Sequence, residues 1–277
     1  MNKVDELIRR RKSVRSYDVR PLSSQDQQML IRWMQENDPV PTPFTAQIAF
    51  HLLRAKDYDE NAKLGTYGVI RNAPAFIGIT AENTPTAMET IGYRFEKIVL
   101  EATALRLGTC WLAGTFNREQ FSDRISMGKD DIFPIVCPVG YPAEKRSLTE
   151  KVFRTFGKAD QRKEWKDIFF SGSFGVPLMP AEAGEYATPL EMLRLAPSAA
   201  NRQPWRIVYQ GHAFHFYREE NPKSKYGYDL QRLDVGIAAC HFHLSAQAHS
   251  LKGAFQYAEP QIDSPANMLY LFSWIPA

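Results

Sequence analysis

The chain has 277 residues, of which 44% are hydrophobic and 23% charged, and a formal net charge of +3. Its length supports one large domain or two modest ones with a proper core, and its composition is that of a soluble globular protein. The small charge argues against a nucleic-acid partner. No apolar stretch reaches the length of a membrane span. Three scattered cysteines, Cys110, Cys137 and Cys240, suggest neither a disulfide framework nor a zinc ribbon. Charged residues follow Asn2 directly with no apolar signal core, so a cytoplasmic setting is expected.

Val4, Leu7, Ile8 and Arg11 follow helical spacing behind a cap at Asn2, and this helix should end near Lys12 because Ser13 to Tyr17 reads as extended. Ser23 or Ser24 caps a second helix with Met29, Leu30, Trp33 and Met34 on one face. Pro39, Pro41 and Pro43 keep the next segment irregular. Gln47 to Arg54 and Ala75 to Thr80 read as strands. Thr84 or Thr86 opens a long buried helix through Ile91, Phe95, Ile98, Ala102 and Leu105, with Gly108 placed to end it. The following Thr109 to Phe116 is apolar but small at Ala113 and Gly114, where backbone N–H groups can approach a ligand. Asn117 and Gln120 read as a capping box.

Ile132 to Pro142 is another strand, leading to Lys145-Arg146 and a short helix from about Thr149. Residues from about 157 to 189 read as a connector. Leu190 to Leu195 then forms a short helix that delivers Ala196-Pro197-Ser198-Ala199-Ala200-Asn201-Arg202-Gln203-Pro204-Trp205. A hairpin around Gln210-Gly211-His212 follows. A second long helix runs through Leu233, Ile237, Cys240, Leu244, Ala248 and Leu251, and Met268 to Ile275 is a last strand. The element order of residues 1–156 and 190–277 is the same: strand, long central helix, late apolar strand. This order suggests an internal duplication.

Two stretches could carry chemistry. Arg9 to Lys12 with Arg15 gathers cations at a helix end, with Ser13 as a neutral donor. Such a cluster suits a phosphate, or is simply a solvated cap favoured by the helix dipole. Pro197 to Ala200 leaves room for a planar group beside the backbone, while Asn201 and Gln203 offer donors and acceptors. An ordinary turn with Trp205 as core filler explains it equally well. His241, His243 and His249 include no i, i+4 histidine pair, and they read as helix residues rather than metal ligands.

R-R-x-S-x-R near the N-terminus, P-S-A-x-N-x-Q-P-W, L-G-T-C-W-L-x-G after a long helix, and Gly140-Tyr141-Pro142 followed by Lys145-Arg146 together resemble the FMN-dependent nitroreductases. The resemblance implies an α+β fold of two pseudo-repeated halves, each with a central long helix packed on an antiparallel-rich sheet. In most of that family the P-S loop lies a few dozen residues after the Arg-Ser motif. Here that place holds only Val40 to Gln47, without the Asn and the Pro-Trp. The chain therefore resembles a two-halves, fused-dimer subgroup that kept one site.

The resemblance places Arg11, Ser13 and Arg15, with Lys12 and either Lys145 or Arg146, on the FMN phosphate and ribityl chain. It places Pro197, Ser198, Ala199 and Asn201 along the flavin ring, and backbone amides at Ala113 or Gly114 near flavin N5. It further implies NAD(P)H as electron donor, ping-pong transfer to nitro, quinone or other electron-poor small molecules, and no side-chain acid or nucleophile. Partners expected are a small-molecule electron acceptor and no nucleic acid or membrane, with the fused pair either monomeric or further dimerised. A flavin store or sensor, and a flavin-free interaction protein with the same fold, remain open as alternatives.

Overall fold

The computed structural model describes residues 3–36, 41, 43–55, 65–144, 161–220, 228–258 and 260–277. The expected cap at Asn2, the cations Lys145 and Arg146, and the helix expected from about Thr149 lie outside them.

The first half begins with α1 (Lys3–Arg10) and α2 (Ser24–Gln35), the latter capped by the Ser23 hydroxyl accepting from the Asp26 N–H. It continues through β1 (Ile48–Arg54), β2 (Ala75–Glu82), α3 (Ala87–Ala104), β3 (Gly108–Thr109), α4 (Arg118–Ser122) and β4 (Asp131–Gly140). The second half holds β5 (Phe169–Ser171), α5 (Ala187–Arg194), β6 (Trp205–Gln210), β7 (Ala213–Glu219), α6 (Leu230–Ala248), β8 (Gly253–Gln256) and β9 (Met268–Pro276).

The two sheets have one topology. Their strand orders are β1-β2-β4-β3 and β6-β7-β9-β8, antiparallel throughout, with β5 added in parallel outside β6. Each second strand carries a register shift against the late strand, at Ile79/Ala81 in β2 and at Phe216/Tyr217 in β7. The long helices also end alike. Leu107 N–H donates to Ala102 O and Leu251 N–H to Ala246 O, both at 2.9 Å, around left-handed Arg106 (φ 62°) and Ser250 (φ 61°). These shared details are more specific than element order alone, and they describe a doubled fold.

Three sequence expectations are corrected. Gly108 does not end α3; Arg106 takes the left-handed position instead, and Gly108 lies under Val14, where a Cβ would meet the valine side chain at 2.7 Å. Asn117 Oδ1 does accept from Gln120 N–H at 3.4 Å, but Gln120 Oε1 accepts from Gly65 N–H at 2.9 Å rather than closing the box. Residues 169–171, expected in a connector, form an edge strand of the second sheet.

At the centre α3 crosses α6. A Cβ on Gly92 would lie 2.1 Å from Leu233 O, and one on Gly236 would lie 2.2 Å from Glu89 O. Each glycine thus faces the carbonyl three residues before the other, a reciprocal contact that only a missing side chain allows. Arg232 Nε donates to Glu89 Oε1 at 2.6 Å, and the Tyr93 hydroxyl meets His243 Nδ1 at 2.7 Å. Burial pushes His243 down to about 4, so the ring facing the tyrosine is neutral near pH 7.

Because the obstructing atoms are backbone, Gly92→Ala or Gly236→Ala should destabilise the chain by roughly 3 kcal/mol, at the top of the overpacking range. That outweighs the ~1 kcal/mol of helix propensity alanine brings. Urea unfolding reads the difference, and an alanine variant as stable as the parent would refute the close crossing.

Candidate functional site

The chain leaving α1 is stitched into the first sheet. Ser13 bridges Thr109, Val14 N–H donates to Thr109 O at 2.8 Å, and Arg71 N–H donates to Arg15 O at 2.9 Å. The extended reading of this segment therefore has a cause: its backbone hydrogen bonds go to sheet edges. The pairing leaves Arg10, Arg11 and Lys12 on a cavity of about 330 Å³, which Arg106 also lines. Val14, Thr103, Leu107, Gly108 and Pro142 also line it, and among the described residues no acidic side chain does. Arg10 Nη2 donates to Thr103 O at 2.5 Å, which steadies one side of the opening.

Arg11 is the buried member of this group, its side chain 6% exposed. Its Nε makes no hydrogen bond among the described residues and lies 3.8 Å from Glu96 Oε1. Glu96, on α3, is itself fully buried. Its Oε2 accepts from Trp111 Nε1 at 2.9 Å, and its Oε1 lies 2.9 Å from His241 Nε2 on α6. His241 Nδ1 reaches Met192 O on α5 at 3.1 Å. A carbonyl only accepts, so Nδ1 carries a proton and a second proton lies between Nε2 and Glu96. One carboxylate thus joins the Arg-Ser segment, the L-G-T-C-W segment and two helices of the second half. Ile8 of α1, Leu100 of α3 and Met192 of α5 form a small buried cluster alongside.

α5 ends at Arg194, and the small-residue loop follows. Ala196 is buried, Pro197 and Ser198 are half-buried, and Ala199 and Ala200 are exposed. Ala199 N–H donates to both carboxylate oxygens of Asp234, at 3.0 and 3.2 Å, and Ser198 Oγ accepts from Gln203 N–H at 2.9 Å. Ala200, Asn201 and Gln203 have φ of 51°, 53° and 50°, a left-handed run that non-glycine residues adopt at some cost. The amide side chains of Asn201 and Gln203 both make hydrogen bonds within the chain. Gln203 is 3% exposed and accepts from Lys163 N–H at 2.8 Å, while Asn201 Nδ2 donates to Gln161 O at 2.9 Å. Both side chains fasten residues 161–163 to the loop.

Ala113 and Gly114 are half-buried. The carbonyl of Ala113 accepts from Arg118 Nη2 at 2.6 Å, whereas neither residue's N–H makes a hydrogen bond among the described residues. None of residues 196–205 lines the cationic cavity; the link between the two stretches runs through Glu96, His241 and α5.

The matching place in the first half, the segment entering β1, is closed. Phe44 is fully buried, with ring centroids 5.3, 5.4 and 5.0 Å from Tyr93, Phe255 and Phe272. The histidines of α6 point three ways: His241 to Glu96, His243 to Tyr93, and His249 to Asp5 at 2.8 Å. No group of three or more His, Cys, Asp or Glu that could hold a metal occurs among the described residues. No helix among them is long and apolar enough to cross a membrane.

Glu96, Arg106, Asp234 and the role of His241 were not read from sequence. An acid in a buried seam next to Phe95 was the available signal for Glu96, and an arginine where a helix end favours glycine was the signal for Arg106.

The doubled α+β fold with a cationic cleft beside its central helices is that of a nitroreductase-like protein. A family model described as "Putative TM nitroreductase" matches residues 3–246. The chain belongs to this nitroreductase family, of oxidoreductase type. A solved structure described as a putative nitroreductase from Thermotoga maritima is similar at 22% identity and TM-score 0.61, covering 99% of this chain and 94% of that one. A Desulfovibrio desulfuricans protein described as a putative nitroreductase in complex with FMN aligns at 21% identity and TM-score 0.42, over 55% of this chain and 95% of its own. A nitroreductase with bound FMN from Bacteroides fragilis aligns at 20% identity and TM-score 0.40, over 53% of this chain and 92% of its own. No curated protein matches the chain.

Burial raises the Asp234 carboxyl well above its ordinary value of 3.8. A raised acid favours the folded state most at low pH and progressively less as pH rises through the folded value. Asp234→Asn keeps an acceptor for Ala199 N–H and removes the buried charge. The variant should therefore melt higher than the parent at pH 7–8, with the two curves converging as pH falls toward 3.8. Melting curves across that range test this, and an Asn variant that is less stable at neutral pH contradicts it.

Proposed function

We propose that the chain is an FMN-dependent NAD(P)H oxidoreductase that passes electrons to nitro, quinone or other electron-poor small molecules. The observation that carries the reading is the cationic cavity at the end of α1, lined by no acid among the described residues, with the buried guanidinium of Arg11 on its wall. A phosphate dianion fits that chemistry through bidentate and charge-assisted hydrogen bonds. In this reading Arg11, Lys12, Ser13 and Arg15 hold the phosphate and ribityl chain. Lys145 or Arg146 assists. Arg106 joins as a cation on the cavity rim.

The ring lies against Pro197, Ser198 and Ala199, whose small size leaves space for a flat group. Asn201 acts by holding the loop through Gln161. The unused amides of Ala113 and Gly114 offer donors to the flavin N5 region, where such donors stabilise negative charge. When bound, the flavin supplies two-electron chemistry in two half-reactions. The chain's own residues bind and orient it. One FMN per chain is expected, because Phe44 fills the pseudo-equivalent place in the other half.

Visible spectra of the full chain with FMN, before and after NAD(P)H under anaerobic conditions, test the reading. A yellow 1:1 complex that bleaches, then recovers with a nitroaromatic or a quinone, is expected. Protein that stays colourless in excess FMN would overturn it, and a complex that never bleaches would leave a flavin store. Arg11→Gln should weaken FMN binding by roughly 1.5–3 kcal/mol, the worth of a hydrogen bond to a charged group. Asn201→Ala should weaken it less, through the loop, and fluorescence titration of FMN gives both values.

A further inference from the structure

We propose that Glu96 is a positioning residue: it sets the buried Arg11 guanidinium on the phosphate site and joins that grip to the second half of the chain. The inference rests on the proposal that Arg11 meets a cofactor phosphate.

A buried guanidinium needs a counter-charge, and among the described residues the acid paired with Arg11 is Glu96, at 3.8 Å. The carboxylate cannot turn away, because Trp111 Nε1 and His241 Nε2 hold its two oxygens at 2.9 Å each. Arg11 Nε makes no hydrogen bond among the described residues, so the 3.8 Å ion pair with Glu96 is what holds the inner end of the guanidinium. Among the described residues its outer nitrogens have no hydrogen-bond partner, and Arg11 lines the cavity they would serve. His241 is fixed in turn by Met192 O on α5, the helix that leads into the small-residue loop. Both sides of the proposed cofactor site therefore share one carboxylate.

Glu96→Gln removes the carboxylate while keeping its shape. The glutamine carbonyl can accept from Trp111 Nε1, and its amide can donate to His241 Nε2 while Nδ1 stays on Met192 O. Packing and hydrogen bonding persist; the anionic oxygen beside Arg11 is lost, together with the proton it shares with His241. In the full chain, E96Q should bind FMN about tenfold more weakly, within the range of coupling between contacting residues. Its apoprotein melting temperature should stay within about 3 °C of the parent. Arg11→Gln should weaken FMN at least as much, and the double variant should be no weaker than Arg11→Gln alone.

Additive losses in the double variant, or E96Q binding FMN as tightly as the parent, would overturn the proposal. Tighter binding would overturn it as well, since Glu96 would then only be opposing the phosphate. Thermal shift with inorganic pyrophosphate reads the same grip without flavin. Stabilisation of the parent but not of E96Q supports the positioning role even if FMN fails to bind, in which case only the flavin reading falls. Equal stabilisation overturns the positioning role, and a parent that responds to neither probe overturns both readings. If E96Q does not fold, Glu96→Asp, which draws the charge back by one methylene, takes its place with the same expected order.

Discussion

The reciprocal contact of Gly92 and Gly236 with the opposite helix backbone is the constraint on which the rest of the molecule depends. Helices packed through ordinary side chains keep their axes 8–10 Å apart; a Cβ here would come within 2.2 Å of a carbonyl oxygen. Removing that Cβ brings α3 and α6 together and sets one sheet on each helix. It also brings the functional groups within reach. Glu96 lies four residues beyond Gly92 and His241 five beyond Gly236, and a glutamate side chain spans the gap only when the backbones nearly touch. The same crossing admits the Arg232–Glu89 ion pair and the Tyr93–His243 hydrogen bond.

A fully buried carboxylate–imidazole pair carries a large desolvation penalty, and replacing such a pair by apolar residues often stabilises a protein. Glu96 and His241 are tolerable because each polar atom has a partner: Trp111, Met192 O, and one another. Full satisfaction makes the cluster stiff rather than strongly stabilising. On the proposed reading, that stiffness holds Arg11 in one orientation before an anion binds, which lowers the cost of binding. The small-residue loop works on a related principle. Its left-handed backbone at Ala200, Asn201 and Gln203 is held in place by Asp234, Ser198 and residues 161–163.

What was legible in the sequence follows from these forces. The long helices were readable because their buried seams repeat at helical spacing over many turns, and the long strands because their apolar runs end at clear turns. The short strands β3, β5 and β8 were not, since a few residues carry too little periodicity to separate from a loop. The glycines at the crossing were passed over because glycine inside a helix reads as a weakness unless the opposing backbone is known. Gln203 offered a donor and an acceptor in a motif that the sequence left open between a ligand seat and an ordinary turn. Its amide turns inward, where Oε1 accepts from the backbone N–H of Lys163, a group that needs an acceptor. The motifs were visible one by one; the carboxylate that links them was not, because it joins Arg11 and Trp111 of the first half to His241, 145 residues further on.

The two halves share strand order, a register shift and a helix ending, yet they differ at the segment entering the first strand of each sheet. In the second half that segment carries Ala199 and Ala200 at the surface, and its polar side chains hold the backbone in shape. In the first half it carries Phe44, which enters the aromatic cluster of Tyr93, Phe255 and Phe272. Burying a phenylalanine contributes ~1.5–3 kcal/mol, whereas leaving room for a flat ligand contributes nothing until the ligand arrives. A doubled fold with two open seats would lack that stabilisation twice. On the proposed reading, in which the second-half loop seats a flat ligand, filling the first-half place with Phe44 retains that stabilisation on one side and leaves the other shaped by hydrogen bonds, so the asymmetry reflects a competition between packing and binding.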